Sequence, residues 1–361
     1  MTLIQRMFLA RRAVAGAFGL RLAPFAVGLA FFALTALNRL GMAIDPLLSP
    51  ALRRARVRAP IVIVGNPRTG TTFLQRFLHE HGFAAGLQLY RMVHPSLLVQ
   101  RALTPWVPWL ESVSPARHHR TAAHDTDLLS VETDDVAALF QNFDGFFIWA
   151  FFLAHDDEDH LPLFDPSTRD TSRRDFDHLE AVWRRSMAFT GRDRIVAKLF
   201  STSTRLPVFL QRFPDARILY MARDPVAVIP SALSLVTGVQ DSAFGFWKLP
   251  EDRRRRYLER LYQGLIELLR RFHEDWTSGA VDRSRVHIVR YDRLMADFEG
   301  EMDDICRFAD LPMSPAQRAV VRATAEKQRA YRSSHRYDLE KYGLTVERIR
   351  ADTAFFRDTF L

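Results

Sequence analysis

The chain has 361 residues, 48% hydrophobic and 25% charged, with 50 Lys+Arg against 42 Asp+Glu for a formal net charge of +8. These proportions exclude a disordered chain or a repeat fibre and suit one large or two small domains with a real core. A single cysteine, Cys306, excludes an internal disulfide framework and a cysteine-built metal site. It lies among Ile305, Phe308 and Leu311 and reads as a small buried hydrophobe. Four of the basic residues are lysines (Lys198, Lys248, Lys327, Lys341) and the rest arginines. That excess suits oxyanion ligands and equally reflects composition bias, so charge alone leaves anionic ligands, nucleic acid and membrane surfaces open.

Residues 1–57 differ from the remainder. They carry Arg6, Arg11, Arg12, Arg21 and Arg39 but one acid, Asp45, around an uncharged run from Leu22 to Leu37. Sixteen residues fall short of the roughly 18–20 that span a bilayer. Extension toward Ala13 would bury Arg21 in hydrocarbon, and no clean signal-peptidase site follows. The expectation is a helical segment in the membrane surface anchored by arginines, with packing on the protein's own body as the alternative. Arg53, Arg54, Arg56 and Arg58 form a basic linker at its end, open to solvent or to anionic head groups.

Ile61–Val64 is an unbroken β-branched run, the pattern of a strand buried on both faces. Gly65-Asn-Pro-Arg-Thr-Gly70 follows as a tight loop. Phe73, Leu74, Phe77 and Leu78 then share one face of a helix. Strand, glycine loop and helix aim backbone N–H groups and a helix dipole at one point, which makes an anion site. The spacing is that of a P-loop, but Thr71 stands where a nucleotidase needs lysine. Arg68 supplies the cation, and Thr69, Thr71 and Thr72 supply hydroxyls. A second strand is expected at Arg217–Met221, ending at Arg223, with Pro225 opening a helix and Ser231 two turns along it. Arg223 and Ser231 suit convergence on one phosphate.

Together these segments resemble the sulfotransferase superfamily, which uses 3′-phosphoadenosine 5′-phosphosulfate as sulfuryl donor and needs no metal in principle. The likeness extends to Phe213-Pro-Asp-Ala, Arg290-Tyr-Asp-Arg-Leu, Cys306-Arg-Phe-Ala-Asp-Leu and His335-Arg-Tyr-Asp-Leu-Glu-Lys-Tyr-Gly-Leu. It runs from about Arg58 to the C-terminus, in the motif order of bacterial members. It implies an α/β domain over 58–361 with a central parallel sheet, a P-loop-like first βα turn and helices on both faces, preceded by the apolar helical segment. Pro67, Arg68, Thr69, Gly70, Thr71 and Thr72 would hold the 5′-phosphosulfate, and Arg223 with Ser231 the 3′-phosphate.

The same resemblance implies catalytic roles for Arg68 and for Lys198, at the end of the expected strand Arg194–Lys198. The family's histidine two residues past that lysine is replaced by Phe200. No carboxylate lies in Gln88–Pro95, where other branches carry a glutamate. Glu132, in Ser-Val-Glu-Thr-Asp-Asp, is preferred as general base over His94. His118, His119, His124, Asp125 and Asp127 lack helical ligand spacing and read as a polar loop on the acceptor side. The aromatic run Phe140–Phe152 is core by default; lining the acceptor cleft, it would imply an apolar acceptor. A long amphipathic helix is expected at Arg253–Trp276, its arginine start without any nucleic-acid fold signature.

The function expected is sulfuryl transfer to a hydroxyl or amine of a hydrophobic or lipid-linked acceptor, at the cytoplasmic face of a membrane and without nucleic acid. Two rivals stand: a P-loop kinase or nucleotidase, and a catalytically silent membrane-associated binding protein. Homo-oligomerisation is left open.

Overall fold

A computed structural model describes residues 1–20, 23–113, 127–330 and 338–361. Four strands form one sheet: β1 (Ile61–Val64), β2 (Val196–Lys198), β3 (Arg217–Ala222) and β4 (Val286–Arg290). Their order is β2-β1-β3-β4, and every neighbouring pair is parallel. All four C-terminal ends therefore lie along one edge, the edge at which open parallel sheets bind ligands.

The chain forms two compact units. One contains Arg58–Gly86, Arg194–Ala232 and Leu265–Leu361, and hence the whole sheet. Its strands alternate faces, so Ile61, Ile63, Leu219, Met221 and Val289 pack on one side with Leu74, Phe77, Phe298, Met302 and Ile305. Cys306 is buried in that same core, and burial pushes its thiol up to about 11, which makes it inert packing. On the opposite face Tyr220 stacks on Phe272, with ring centroids 3.4 Å apart, next to Phe356 and Phe360. The sheet is thus covered by helices on both faces, as a strand buried on both sides requires.

The other unit contains Met1–Val57, Leu87–Asp193 and Leu233–Gly264. One division falls at Val57/Arg58, the compositional boundary, and residues 1–57 group with Leu87–Asp193 and Leu233–Gly264. Among the described residues this unit is built mainly from helices. The Leu3–Phe18 helix begins at a capping box made by Thr2 and Gln5 and ends at Gly19, whose φ of 71° is the left-handed closure glycine permits.

The next helix runs Ala23–Leu48, eleven residues past the apolar run expected to end at Leu37. It continues because its polar residues have partners: Asn38 Nδ2 donates to the Val93 carbonyl at 2.8 Å, and Thr35 Oγ1 to that of Phe140. Asp45, 1% exposed, accepts from Ser96 Oγ, from the Leu97 and Leu98 amides, and from Arg185 Nε at 2.7 Å. Arg185 also donates to the Met42 carbonyl.

The Phe140–Phe152 run is two helices, Asp135–Asn142 and Phe146–Phe151. Phe143 (φ 47°) and Gly145 (φ 88°) break it in the left-handed region. Phe146, Ile148, Trp149 and Ala150 are core, whereas Phe143, Phe147, Phe151 and Phe152 stay half-buried. At the break Asp144 is held by Arg6, Arg169 and Arg174, which keep its carboxyl at about 2 although burial alone would raise it.

The amphipathic helix spans Glu251–Thr277. Its N-terminal arginines are spent within the chain: Arg253 donates to the Gly16 carbonyl, Arg254 to that of Trp247, and Arg256 to Asp157.

Removing a buried carboxylate leaves its cation and amides without their acceptor. Asp45→Ala is expected to cost about 3–5 kcal/mol, read as a lowered denaturant midpoint of the full chain, whereas an unchanged midpoint would mean that Asp45 does not pin this helix.

Candidate active site

The sequence-predicted donor residues all fall at the C-terminal edge of the sheet, within one compact unit. β1 ends at Val64 and the loop turns at once through Gly65 (φ 136°), where a Cβ would stand 2.8 Å from the Met221 carbonyl oxygen. Only glycine lets the loop pass this close to β3. Asn66 then ties the loop down, its Nδ2 donating to the Leu265 carbonyl at 2.8 Å, while Thr69 Oγ1 donates back to the Asn66 carbonyl. Thr69 therefore shapes the loop with its hydroxyl. Gly70 (φ 97°) caps the Thr71–Glu80 helix, whose first amides face outward from that end.

Three cations converge on this loop. Lys198, the last residue of β2 and 5% exposed, donates from Nζ to Thr72 Oγ1 at 2.9 Å. Arg68 donates from Nε to Ser231 Oγ at 3.0 Å, and Arg223 Nη1 donates to the Arg68 carbonyl at 2.8 Å. Ser231 lies on the Pro225–Phe244 helix that begins at Pro225, as expected. The glycine loop, Arg223 and Ser231 thus interlock into one cationic cluster. The adjoining acid Asp224 is engaged by Arg357 at 3.1 Å.

Tyr291 belongs to this site and was not singled out by sequence reasoning. It follows β4, its ring edge lies 3.2 Å from where a Gly70 Cβ would be, and the Arg223 guanidinium sits 3.9 Å from the ring centroid. The ring fixes the plane of Arg223 by cation–π contact. The motif Arg290-Tyr-Asp-Arg-Leu was the available signal, but nothing local says that its tyrosine meets Arg223.

The two base candidates belong to the other unit. Glu132 is buried, and its amide donates to the Leu87 carbonyl. Its acidic neighbours have structural duties: Asp134 accepts from Trp183 Nε1 at 2.9 Å and Asp135 from the Thr133 hydroxyl. His94 ends the Leu89–Val93 helix, and its carbonyl accepts from Gln100 Nε2. Burial holds its imidazole at about 4, so it is neutral at pH 7 and a weak base. His118, His119, His124 and Asp125 lie outside the described residues, as do His335, Arg336 and Tyr337 of the C-terminal motif.

Arg68 occupies φ 76°, a left-handed conformation that costs a non-glycine residue about 1 kcal/mol and is concentrated at functional sites. Arg68→Gly is accordingly expected to raise the thermal midpoint while weakening anion binding at the loop. A variant both less stable and equally avid for anions would show that the arginine is there for the fold.

A family model described as "Sulfotransferase family" matches residues 60–315. The chain is 24% identical over 305 residues to omega-hydroxy-beta-dihydromenaquinone-9 sulfotransferase Stf3 of Mycobacterium bovis, across 80% of this chain and 70% of that one. Among solved structures it is similar to sulfotransferase STF9 from Mycobacterium avium, with a TM-score of 0.72 at 20% identity over 94% of this chain and 86% of that one. Sulfotransferase STF1 from Mycobacterium tuberculosis H37Rv gives a TM-score of 0.71 at 20% identity, over 98% and 92%. With the family match covering most of the chain, including the loop, the cationic cluster and all four strands, the chain belongs to the sulfotransferase family and is an enzyme of sulfuryl transfer.

Proposed function

We propose that the enzyme transfers a sulfuryl group from 3′-phosphoadenosine 5′-phosphosulfate to a hydroxyl of a hydrophobic, lipid-like acceptor. The observation that carries the donor assignment is the interlocked cluster of Arg68, Ser231, Arg223 and Lys198 around a helix N-terminus. A donor with phosphate at both ends of its ribose and a terminal sulfate matches several fixed cations better than a single phosphate does.

In the reaction the bond between sulfur and the bridging phosphate oxygen breaks, and the acceptor oxygen bonds to sulfur. The bonding electrons leave with 3′-phosphoadenosine 5′-phosphate, whose phosphate gains the negative charge. Pro67, Gly70, Thr71 and Thr72 would position the phosphosulfate with the helix amides. Arg68 and Lys198 would stabilise the developing charge, a preorganised electrostatic role. Arg223 and Ser231 would hold the 3′-phosphate. The chain's own side chains supply the positive charge this needs.

The acceptor proton passes to a base, for which Glu132 is proposed ahead of His94. Burial has made His94 a weak base, and the carboxylate of Glu132 is the other acceptor of a proton that the sequence offers. An apolar acceptor is supported by the relative whose name records a menaquinone derivative as substrate. The half-buried aromatics Phe143, Phe147, Phe151 and Phe152 add a suitable surface. The reaction is proposed to run at the cytoplasmic face of a membrane, approached through residues 1–57, a reading supported by the pairing of a nucleotide donor with a lipid-like acceptor.

Arg223→Ala and Ser231→Ala are expected to weaken 3′-phosphoadenosine 5′-phosphate in calorimetry. The arginine variant should lose about 1.5–3 kcal/mol, roughly 10- to 150-fold in affinity. Unchanged affinity in both would remove the donor assignment.

For the proton, Glu132→Gln should lower single-turnover sulfuryl transfer by about 10²–10⁴-fold while donor affinity holds, and His94→Gln should leave the rate within a few-fold. The reverse ranking would give the role to His94, and normal rates in both would give it to neither.

A further inference from the structure

The Ala23–Leu48 helix is amphipathic in the inverted sense. Thr35, Asn38, Gly41 and Asp45 recur at spacings of three and four residues, so they share one stripe, and that stripe is buried. Its three polar side chains bond to their own unit at Phe140, Val93, Ser96, Leu97, Leu98 and Arg185. The opposite stripe is Phe25, Leu29, Phe32, Ala36, Leu40, Ala43 and Leu47, again at spacings of three and four. Its large members are 62%, 64%, 49%, 63% and 76% exposed. A water-facing helix turns its polar side outward; this one turns its apolar side outward along about 33 Å.

We infer that this helix lies in the plane of one membrane leaflet, its Phe25–Leu47 stripe inserted among acyl chains and its polar stripe bound to the protein, and that it does not cross the bilayer. The inference deepens the membrane part of the function proposed above.

By length and mean hydropathy (1.6 over Phe25–Leu48) the segment could be a span. Its bonding decides against that. A span would carry Arg39 and Asp45 into the hydrocarbon and would strip Asp45 from the amides and guanidinium that hold it, leaving Arg185 buried without its carboxylate. In the plane of the interface both keep their partners, and Arg39, which reaches the Gln141 carbonyl at 3.3 Å, stays at head-group depth.

The charge pattern matches an anionic leaflet. Exposed Arg53, Arg54, Arg56 and Arg58 follow the end of the helix, and Arg53 donates to the carbonyl of Pro46 in its last turn. Exposed Ile4 and Phe8 extend the apolar surface along the preceding helix, whose Met7 packs at Gly28.

The test uses the full chain added to preformed phosphatidylcholine vesicles with and without phosphatidylglycerol, read by flotation. Binding should be stronger to the anionic vesicles. Leu29→Gln combined with Leu40→Gln and Leu47→Gln should lower it at least about tenfold, with thermal midpoint and 3′-phosphoadenosine 5′-phosphate affinity unchanged. Arg53→Gln with Arg54→Gln and Arg56→Gln should remove only the preference for phosphatidylglycerol. In a Cys306→Ala background, Gln5→Cys should be labelled fully by a membrane-impermeant maleimide from outside.

Protection of Gln5→Cys would establish a span and overturn the inference. So would a chain that ignores both vesicles and becomes monomeric only when the stripe is substituted, because a second copy would then be the occupant. Loss of donor binding in the parent chain would strike the proposed function and leave this inference standing.

Discussion

The site depends on one close approach. At Gly65 the chain leaves β1 and passes so near the Met221 carbonyl that no side chain fits between them. This contact sends the loop across the end of β3, where Arg68 can reach Ser231 and Arg223 can reach the Arg68 carbonyl. A parallel sheet makes such convergence inexpensive, because the C-terminal ends of β1, β2 and β3 are neighbours by hydrogen bonding alone. Lys198, Arg68 and Arg223 come from three separated stretches: Lys198 ends β2, Arg223 stands one residue past β3, and Arg68 four past β1. The strain at Arg68 is sustained by that framework.

The arginine excess resolves into distinct duties once partners are known. Arg185 compensates Asp45, while Arg6, Arg169 and Arg174 surround Asp144. Arg253, Arg254 and Arg260 spend donors on backbone carbonyls. These guanidinium groups stitch loops and helix ends in the helical unit, where a planar fork with several donors serves better than an ammonium. The site cations are few and stand at the sheet edge. Net charge is thus a poor guide to ligands, and placement a good one.

The helical unit meets a different physical demand. Its Ala23–Leu48 helix satisfies polar groups inward and presents hydrocarbon outward, an arrangement that water penalises and a lipid leaflet rewards. With the lipid-like acceptor proposed above, the enzyme would gain from being held where that acceptor is concentrated. The sheet unit needs no such surface, since its sheet is covered on both faces by its own helices.

Local signals carried much of this to the reader of the bare sequence. β1 at Ile61–Val64, the glycine loop, β3 with Arg223 beyond it, and Lys198 at a strand end were legible because each combines a dense apolar run with residues that only one turn geometry accommodates. Three features were not. β4 carries His287 and Arg290 among its apolar residues, so its pattern is weak, and Tyr291 acquires its role only when β4 lies beside β3. The Phe140–Phe152 run breaks at Phe143 and Gly145, where Asp144 finds three arginines distant in sequence. The N-terminal helix passes through Asn38 and Asp45 because partners at Val93, Ser96 and Arg185 remove the cost of burying them. By itself the sequence determined the family and the strand-loop-helix unit with its cations, since these follow from neighbours along the chain. Tertiary structure alone decided which cations meet, which aromatic ring orients one of them, and which side of the N-terminal helix faces out. The free energy of a buried polar group is set by the partner that folding brings to it, and that partner is not its neighbour in sequence.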